Sequence, residues 1–164
     1  MLLAESVLEL LLTELCKVSR PASGEETSLD GLASLELHGY EVGYRYLERS
    51  LQTRSVHGGD HLEVMKFICK EFWHDLFGKH VDKLQTNHRG VFVLRETSFK
   101  WARKVSSHNE ELQRVALLKL LQFPCGLLRG ALASLGVDAS VSAELGTAPS
   151  CNFNVRIINK SPVT

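Results

Sequence analysis

Two groups of residues have types and spacings that could do chemistry. In FPCGLLRGAL, residues 123–132, Pro124 is placed to open a helix, Cys125 falls in its first turn, and Arg129 follows a turn later. A helix N-terminus and a nearby guanidinium both favour a thiolate, which raises the question of a cysteine nucleophile. A nucleophilic cysteine also needs a base or an anion cradle, and neither stands at a recognisable spacing. A phosphatase-type loop needs a longer wrap than the three residues between Cys125 and Arg129. Gly126 and Gly130, four apart, suit a helix face pressed against another element. The pattern therefore favours Cys125, Gly126, Arg129 and Gly130 as structural residues, with the thiol a small buried side chain.

The second group is HGGDH, where His57, Asp60 and His61, with His74 further on, offer donors a metal could use. The glycines place His57 in a loop, and no cysteine pair follows at zinc-site spacing. A loop followed by a helix cap accounts for the same residues, so no metal and no cofactor is expected. There is no Walker loop, dinucleotide fingerprint, GxSxG or HExxH. No catalytic residue is assigned, and the chain is not expected to be an enzyme.

The elements that would position these residues follow from periodicity. Residues 2–18 form a first helix in which Leu3, Val7, Leu8, Leu10, Leu11, Leu12, Leu15 and Val18 cover one side. That arc is wider than the ~100° stripe one core contact requires, so cover from two directions is expected: one from its own domain, the second from a partner, the alternative being the central helix of the chain's own core. A polar loop with Pro21 and Gly24 leads to a second helix over 28–50, with Leu29, Leu32, Leu35, Val42, Tyr46 and Leu47 as its apolar side. Gly39 and Gly43 in that helix would let another backbone come close. Asp60 and Glu63 make a capping box for a third helix, 61–77, and Gly78 is placed to end it.

From about residue 84 the period changes. TNHRG at 86–90 is rich in turn formers and VFVLRE at 91–96 in strand formers. Residues 97–122 read as a surface excursion with a helical piece from about Glu110. Pro124 then opens a helix that Gly136 ends. DASVSAEL and NFNVRII are two further strands joined by a turn over 146–149. Helices followed by a mixed tail of this kind suggest an α+β layer of helices on an antiparallel sheet.

Composition sets the outer bounds. A chain of 164 residues with 44% apolar and 23% charged residues is expected to be one globular domain, 1–164. Lys and Arg total 19 and so do Asp and Glu, leaving no general pull towards nucleic acid or acidic membrane. The four cysteines form no CxxC pair, which suits reduced thiols in a cytoplasmic protein. The apolar start carries Glu5, Glu9 and Glu14, so neither a signal peptide nor a membrane span is expected.

Three stretches together carry a resemblance. GYEVGYRYLER at 39–49, LEVMKFICKEFWHDLFGKHVDKLQTNHRGVFVLRETSF at 62–99, and FPCGLLRGALASLGVDASVSAEL with CNFNVRI at 123–157 resemble the small core subunits of TRAPP, the transport protein particle. Within that Bet-three-like family they are most similar to the sixth-subunit type. The resemblance implies an α/β plait, with four main helices on one face of a four-stranded antiparallel sheet and an extra strand near Leu84 to His88. It also implies a non-catalytic subunit that forms a heterodimer with the palmitoylated-type core subunit through the two helices within 1–50. Leu8, Leu11, Leu12, Leu15, Leu32 and Leu35 are the expected partner-binding residues, and a homodimer is possible when the chain is alone. Other TRAPP subunits are implied as further partners, and a Rab GTPase only through the assembled particle. That particle tethers vesicles and promotes nucleotide exchange in ER-to-Golgi and Golgi traffic, at the ER and cis-Golgi membranes. The acylated members carry a cysteine just before the third helix, where this chain reads SVHGGDH, so acylation there is not expected. The alternative is a small hydrophobic-ligand or acyl-binding domain using Cys69 or Cys125.

Overall fold

The structure, a computed structural model, describes residues 29–52, 60–105, 108–147 and 149–158. The helix expected over 2–18, with Leu8, Leu11, Leu12 and Leu15, lies outside the described residues, as do the side chain of Leu32 and the loop that contains His57.

Helix α1, Leu29–Leu51, buries Leu35, Gly39, Gly43 and Leu47 along one line. A four-residue step keeps such a line on one side of a 3.6-residue helix. The next helix opens at Asp60, whose side chain accepts a hydrogen bond from the Leu62 N–H at 3.3 Å. The expected capping box is only half formed, since the Glu63 carboxylate instead accepts from Lys66 Nζ at 2.7 Å. This helix runs as α2, His61–Phe67, a wider π-helical turn, Ile68–Phe72, and α3, Trp73–Phe77. The wider turn lets a carbonyl leave the helical ladder, and the Cys69 carbonyl accepts from the Val81 N–H at 3.1 Å. Gly78, with φ 71°, ends the helix in the left-handed conformation that glycine adopts without a Cβ penalty.

The sheet has the order β1-β2-β4-β3 and is antiparallel throughout: β1 is Lys83–Thr86, β2 Val91–Glu96, β3 Ala139–Leu145 and β4 Cys151–Ile157. The fourth strand implied near Leu84 is thus β1. Its hairpin to β2 is built by TNHRG. The Asn87 side-chain oxygen accepts from the Arg89 and Val91 N–H groups, and His88 sits at φ 56°. One face of the sheet presents Phe92, Leu94, Phe153, Val155 and Cys151, all buried. Trp73 and Phe77 pack on that side, with Phe99, Trp101 and Phe153 completing an aromatic cluster of ring centroids 4.4–6.3 Å apart.

Two expectations need correction here. Pro124 does not open a helix: it lies inside α4, Glu110–Ser134, a single helix capped by Asn109. An interior proline removes one helical hydrogen bond, a loss of ~3 kcal/mol or more in an exposed helix. Here it is buried in the most deeply covered half of α4, where packing outweighs that loss. Residues 97–122 are not a surface excursion along their whole length. Phe99 and Trp101 belong to the aromatic cluster, and Leu117, Leu120 and Leu121 are core residues of α4. Among the described residues the fold is thus three helical segments on one face of a four-stranded antiparallel sheet, an α+β plait; the expected fourth helix is the one outside them.

Candidate partner-binding surface

Helices α1 and α4 meet backbone to backbone, and four glycines make the contact. A Cβ on Gly39 would fall on the Phe123 carbonyl oxygen, and one on Gly43 on the Leu127 backbone. Reciprocally, a Cβ on Gly126 would fall on the Glu36 carbonyl oxygen and 2.8 Å from the Tyr40 nitrogen, and one on Gly130 on the Tyr40 carbonyl. Positions rise together along both helices, so α1 and α4 run in the same direction with their backbones nearly touching. Both four-residue glycine spacings were visible in the sequence. That each is the other's seat was not.

Arg129 lies across this seam. Its Nε and Nη2 donate to the two Glu36 carboxylate oxygens at 2.5 and 3.0 Å, and its guanidinium lies 4.6 Å above the centre of the Tyr40 ring. A planar fork of this kind fixes the angle between two helices as well as joining them. Cys125, one residue before Gly126, is 1% exposed. Burial first, then the Glu36 and Cys151 charges, push its thiol up to about 12. It sits in the middle of a helix, away from the N-terminal dipole, and the arginine that could have stabilised a thiolate is held by Glu36. Cys69 and Cys151 are likewise buried and pushed up to about 12, chiefly by burial. Thiolates are the reactive form of cysteine, so these three thiols are poorly placed for nucleophilic chemistry or acylation.

A second polar cluster went unnoticed in the sequence. Glu96, 2% exposed at the end of β2, accepts from Trp73 Nε1 at 3.0 Å and from Lys79 Nζ at 2.7 Å. Lys79 also reaches Asp82 at 2.9 Å, and Asp82 accepts from the Thr97 N–H and hydroxyl at 2.8 and 2.7 Å. Burial raises the Glu96 carboxyl above its usual range, and Lys79 only partly offsets this. Burial would also raise Asp82, but the Thr97 and Lys79 hydrogen bonds win and take it down to about 2. Every group in the cluster has a partner, and its geometry ties the end of α3 to the sheet. It is a clamp. No group of three or more metal-type ligands occurs among the described residues.

The helices also leave apolar side chains exposed. Leu35, expected at a partner surface, is 3% exposed and belongs to the chain's own core, because it continues the buried Gly39–Gly43 line. Among the described side chains of α1, the exposed large apolar residues are instead Leu37 and Tyr44 on one side of that line and Val42 and Tyr46 on the other, where the Tyr46 ring meets Phe72 edge-on at 6.1 Å. On α4, Leu112, Val115 and Leu118 form a second exposed set at helical spacing. Glu110–Ser134 is also the one helix among the described residues long and apolar enough to cross a membrane, and 67% of its apolar window is buried in the fold. It is a core helix.

Comparison with known proteins fits this architecture. Residues 8–158 match the Transport protein particle (TRAPP) component family. The chain is 37% identical over 154 residues to trafficking protein particle complex subunit 6b of Danio rerio, covering 93% of this chain and 96% of that one. It is 39% identical to human subunit 6B over 126 residues, 77% of this chain and 78% of the relative. For human subunit 6A the figures are 40% over 130 residues and 79% of each chain. Among solved structures it shares its fold with a trafficking protein particle complex subunit 3 from Naegleria fowleri covalently bound to palmitic acid. There the TM-score is 0.75 at 15% identity, over 97% of this chain and 98% of that one. The family match over residues 8–158 and the relatives' identity over most of the chain agree: the chain belongs to the TRAPP component family and is of the sixth-subunit type.

Proposed function

We propose that this protein is a non-catalytic core subunit of the TRAPP particle, acting as a heterodimerising scaffold in vesicle tethering and Rab guanine-nucleotide exchange. Pairing with the palmitoylated-type core subunit would use the N-terminal helices. The observation that carries this reading is that α1 keeps Leu37 and Tyr44, seven residues apart and so on one face of the helix, exposed beside a seam that already covers Gly39 and Gly43. Exposed apolar residues gathered along one helix mark an interaction site more often than a solvated face. Leu8, Leu11, Leu12, Leu15 and Leu32 are proposed to extend this surface. Other TRAPP subunits are further partners, and the Rab GTPase is reached only through the assembled particle, at ER and cis-Golgi membranes. The buried thiols argue against the acyl-binding alternative.

The test is light scattering of the purified chain, alone and mixed with the palmitoylated-type core subunit. A 1:1 complex is expected, weakened at least tenfold by Leu37→Glu with Tyr44→Glu, and likewise by Leu11→Glu with Leu15→Glu. Burying an apolar side chain fully is worth ~1.5–3 kcal/mol, so two such losses exceed that threshold. Unaltered pairing in both double variants would place the interface elsewhere. A wild-type chain that ignores the partner altogether would sink the scaffold reading.

A further inference from the structure

The sheet face turned away from the helices is not a neutral solvated surface. Register places its side chains in three rows: Lys83, Arg95, Asn152 and Glu144; Gln85, Val93, Asn154 and Ser142; then Val91, Arg156 and Ser140. Lys83, Arg95 and Arg156 are exposed, as is Arg89 in the hairpin at the Arg156 end. None of the four cationic side chains has a hydrogen-bond or ion-pair partner among the described residues. Lys83 and Arg95 are direct cross-strand partners. Like charges in that position repel and weaken the strand pair. On a chain whose charges cancel, this is a local concentration of unanswered positive charge, and a sheet that keeps it departs from its own best pairing.

We infer that this outer sheet face docks an acidic segment of a protein partner, with carboxylates seated at Lys83–Arg95 and at Arg156–Arg89. The interface is separate from the helical pairing surface proposed above, since it lies on the opposite side of the sheet. The two cationic points are offset by four residues along the strands, about 14 Å at ~3.4 Å per residue. An extended segment with acidic residues about four apart spans them. Between the points lie Gln85, Asn154 and Ser142, whose amides and hydroxyl can donate to and accept from a peptide backbone. Glu144, at the β3 end of the first row, repels an acidic ligand and confines it to the β1–β2–β4 side. A lipid surface fits less well. Polybasic membrane sites gather about four to eight cations in one cluster, whereas here two pairs stand apart with amides between them.

The purified full chain can be titrated with a fluorescent peptide carrying two glutamates four positions apart, and with the same peptide carrying glutamines. The glutamate peptide should bind at least tenfold tighter. That preference should be lost in Lys83→Glu with Arg95→Glu, and separately in Arg156→Glu, with thermal melting retained in both. Equal binding of the two peptides would overturn the proposal. So would binding to phosphatidylserine vesicles that the same substitutions abolish while the peptide preference is absent. In the assembled particle, a benzoylphenylalanine photocrosslinker at Val93 should label an acidic segment of another subunit. Labelling of lipid, of a second copy of this chain, or of a segment without carboxylates would also overturn it. Because the peptide titration needs no TRAPP partner, it can fail while the helical pairing succeeds, and the reverse.

Discussion

At the scale of single residues, most of the informative positions are ones where nothing larger fits or nothing ionises. Gly126→Ala adds a Cβ that meets the Glu36 carbonyl and, at 2.8 Å, the Tyr40 nitrogen, both backbone atoms that cannot rotate away. The helices must separate, so the expected loss is about 2 kcal/mol or more, despite alanine's better helix propensity of up to ~1 kcal/mol. Thermal melting should show a fall of roughly 4–8 °C for a chain of this size. An unchanged melting temperature would mean that the seam is looser than described. Cys125 is the matching chemical case. With its thiol pushed up to about 12, native labelling by iodoacetamide near pH 7.5 should be negligible until denaturant is added. Rapid native labelling would reopen the nucleophile question that its neighbour Arg129 first raised. Both glycine spacings and the small buried thiol could be read from the chain, because steric demand is written in residue size.

At the scale of elements, legibility depended on whether a rule was local. Three strands were readable from strand-forming residues bounded by turn formers, and the end of the third helix from Gly78; β1, only four residues long, came from the resemblance and not from its own residues. Pro124 was misread because preference for a first-turn proline is a local tendency, and burial inside α4 overrides it. SFKWARK looked exposed because its charges alternate with its aromatics, yet Phe99 and Trp101 fill the space beside Trp73 and Phe77. Whether the apolar side that holds Leu35 meets α4 or a partner is not written in the periodicity of α1, so Leu35 was expected at a partner surface. The β1–β2 pair adds a prediction of its own. Lys83→Glu turns a repulsive cross-strand pair into an attractive one, so stability should rise by up to about 1 kcal/mol, measured by urea unfolding. A decrease would show that Lys83 has a stabilising role that its register does not reveal.

At the scale of the whole molecule, the clamp of Lys79, Asp82 and Glu96 sets the response to acid. Asp82 has a lowered carboxyl, so its contribution is present above the ordinary carboxylate range and is lost as pH falls from about 4 to about 2. Glu96 is raised, so its linkage has the opposite sign, stabilising at low pH and fading as it ionises. In Asp82→Asn the stability gap from wild type should therefore narrow between pH 4 and pH 2. A gap that stays constant with pH would mean the Asp82 carboxylate is not the titrating group. The clamp as a whole was not legible in sequence: Lys79 and Asp82 share one short connection, but Trp73 and Glu96 reach them from α3 and β2 and meet them only in the folded chain. The family was legible, carried by long motifs that keep their order across most of the chain.

The parallel seam also has a meaning in time. Gly39 and Phe123 are about 84 residues apart in the chain, and ribosomes add about 5–20 residues per second, so α1 emerges roughly 4–17 s before the helix that seats it. Through that interval a nascent chain holds an apolar helix with its glycine groove empty, and whatever waits at the exit tunnel meets α1 before α4 does. Whether assembly with another subunit begins on the ribosome, ahead of the chain's own closure, is thus decided by the order in which these two helices are made.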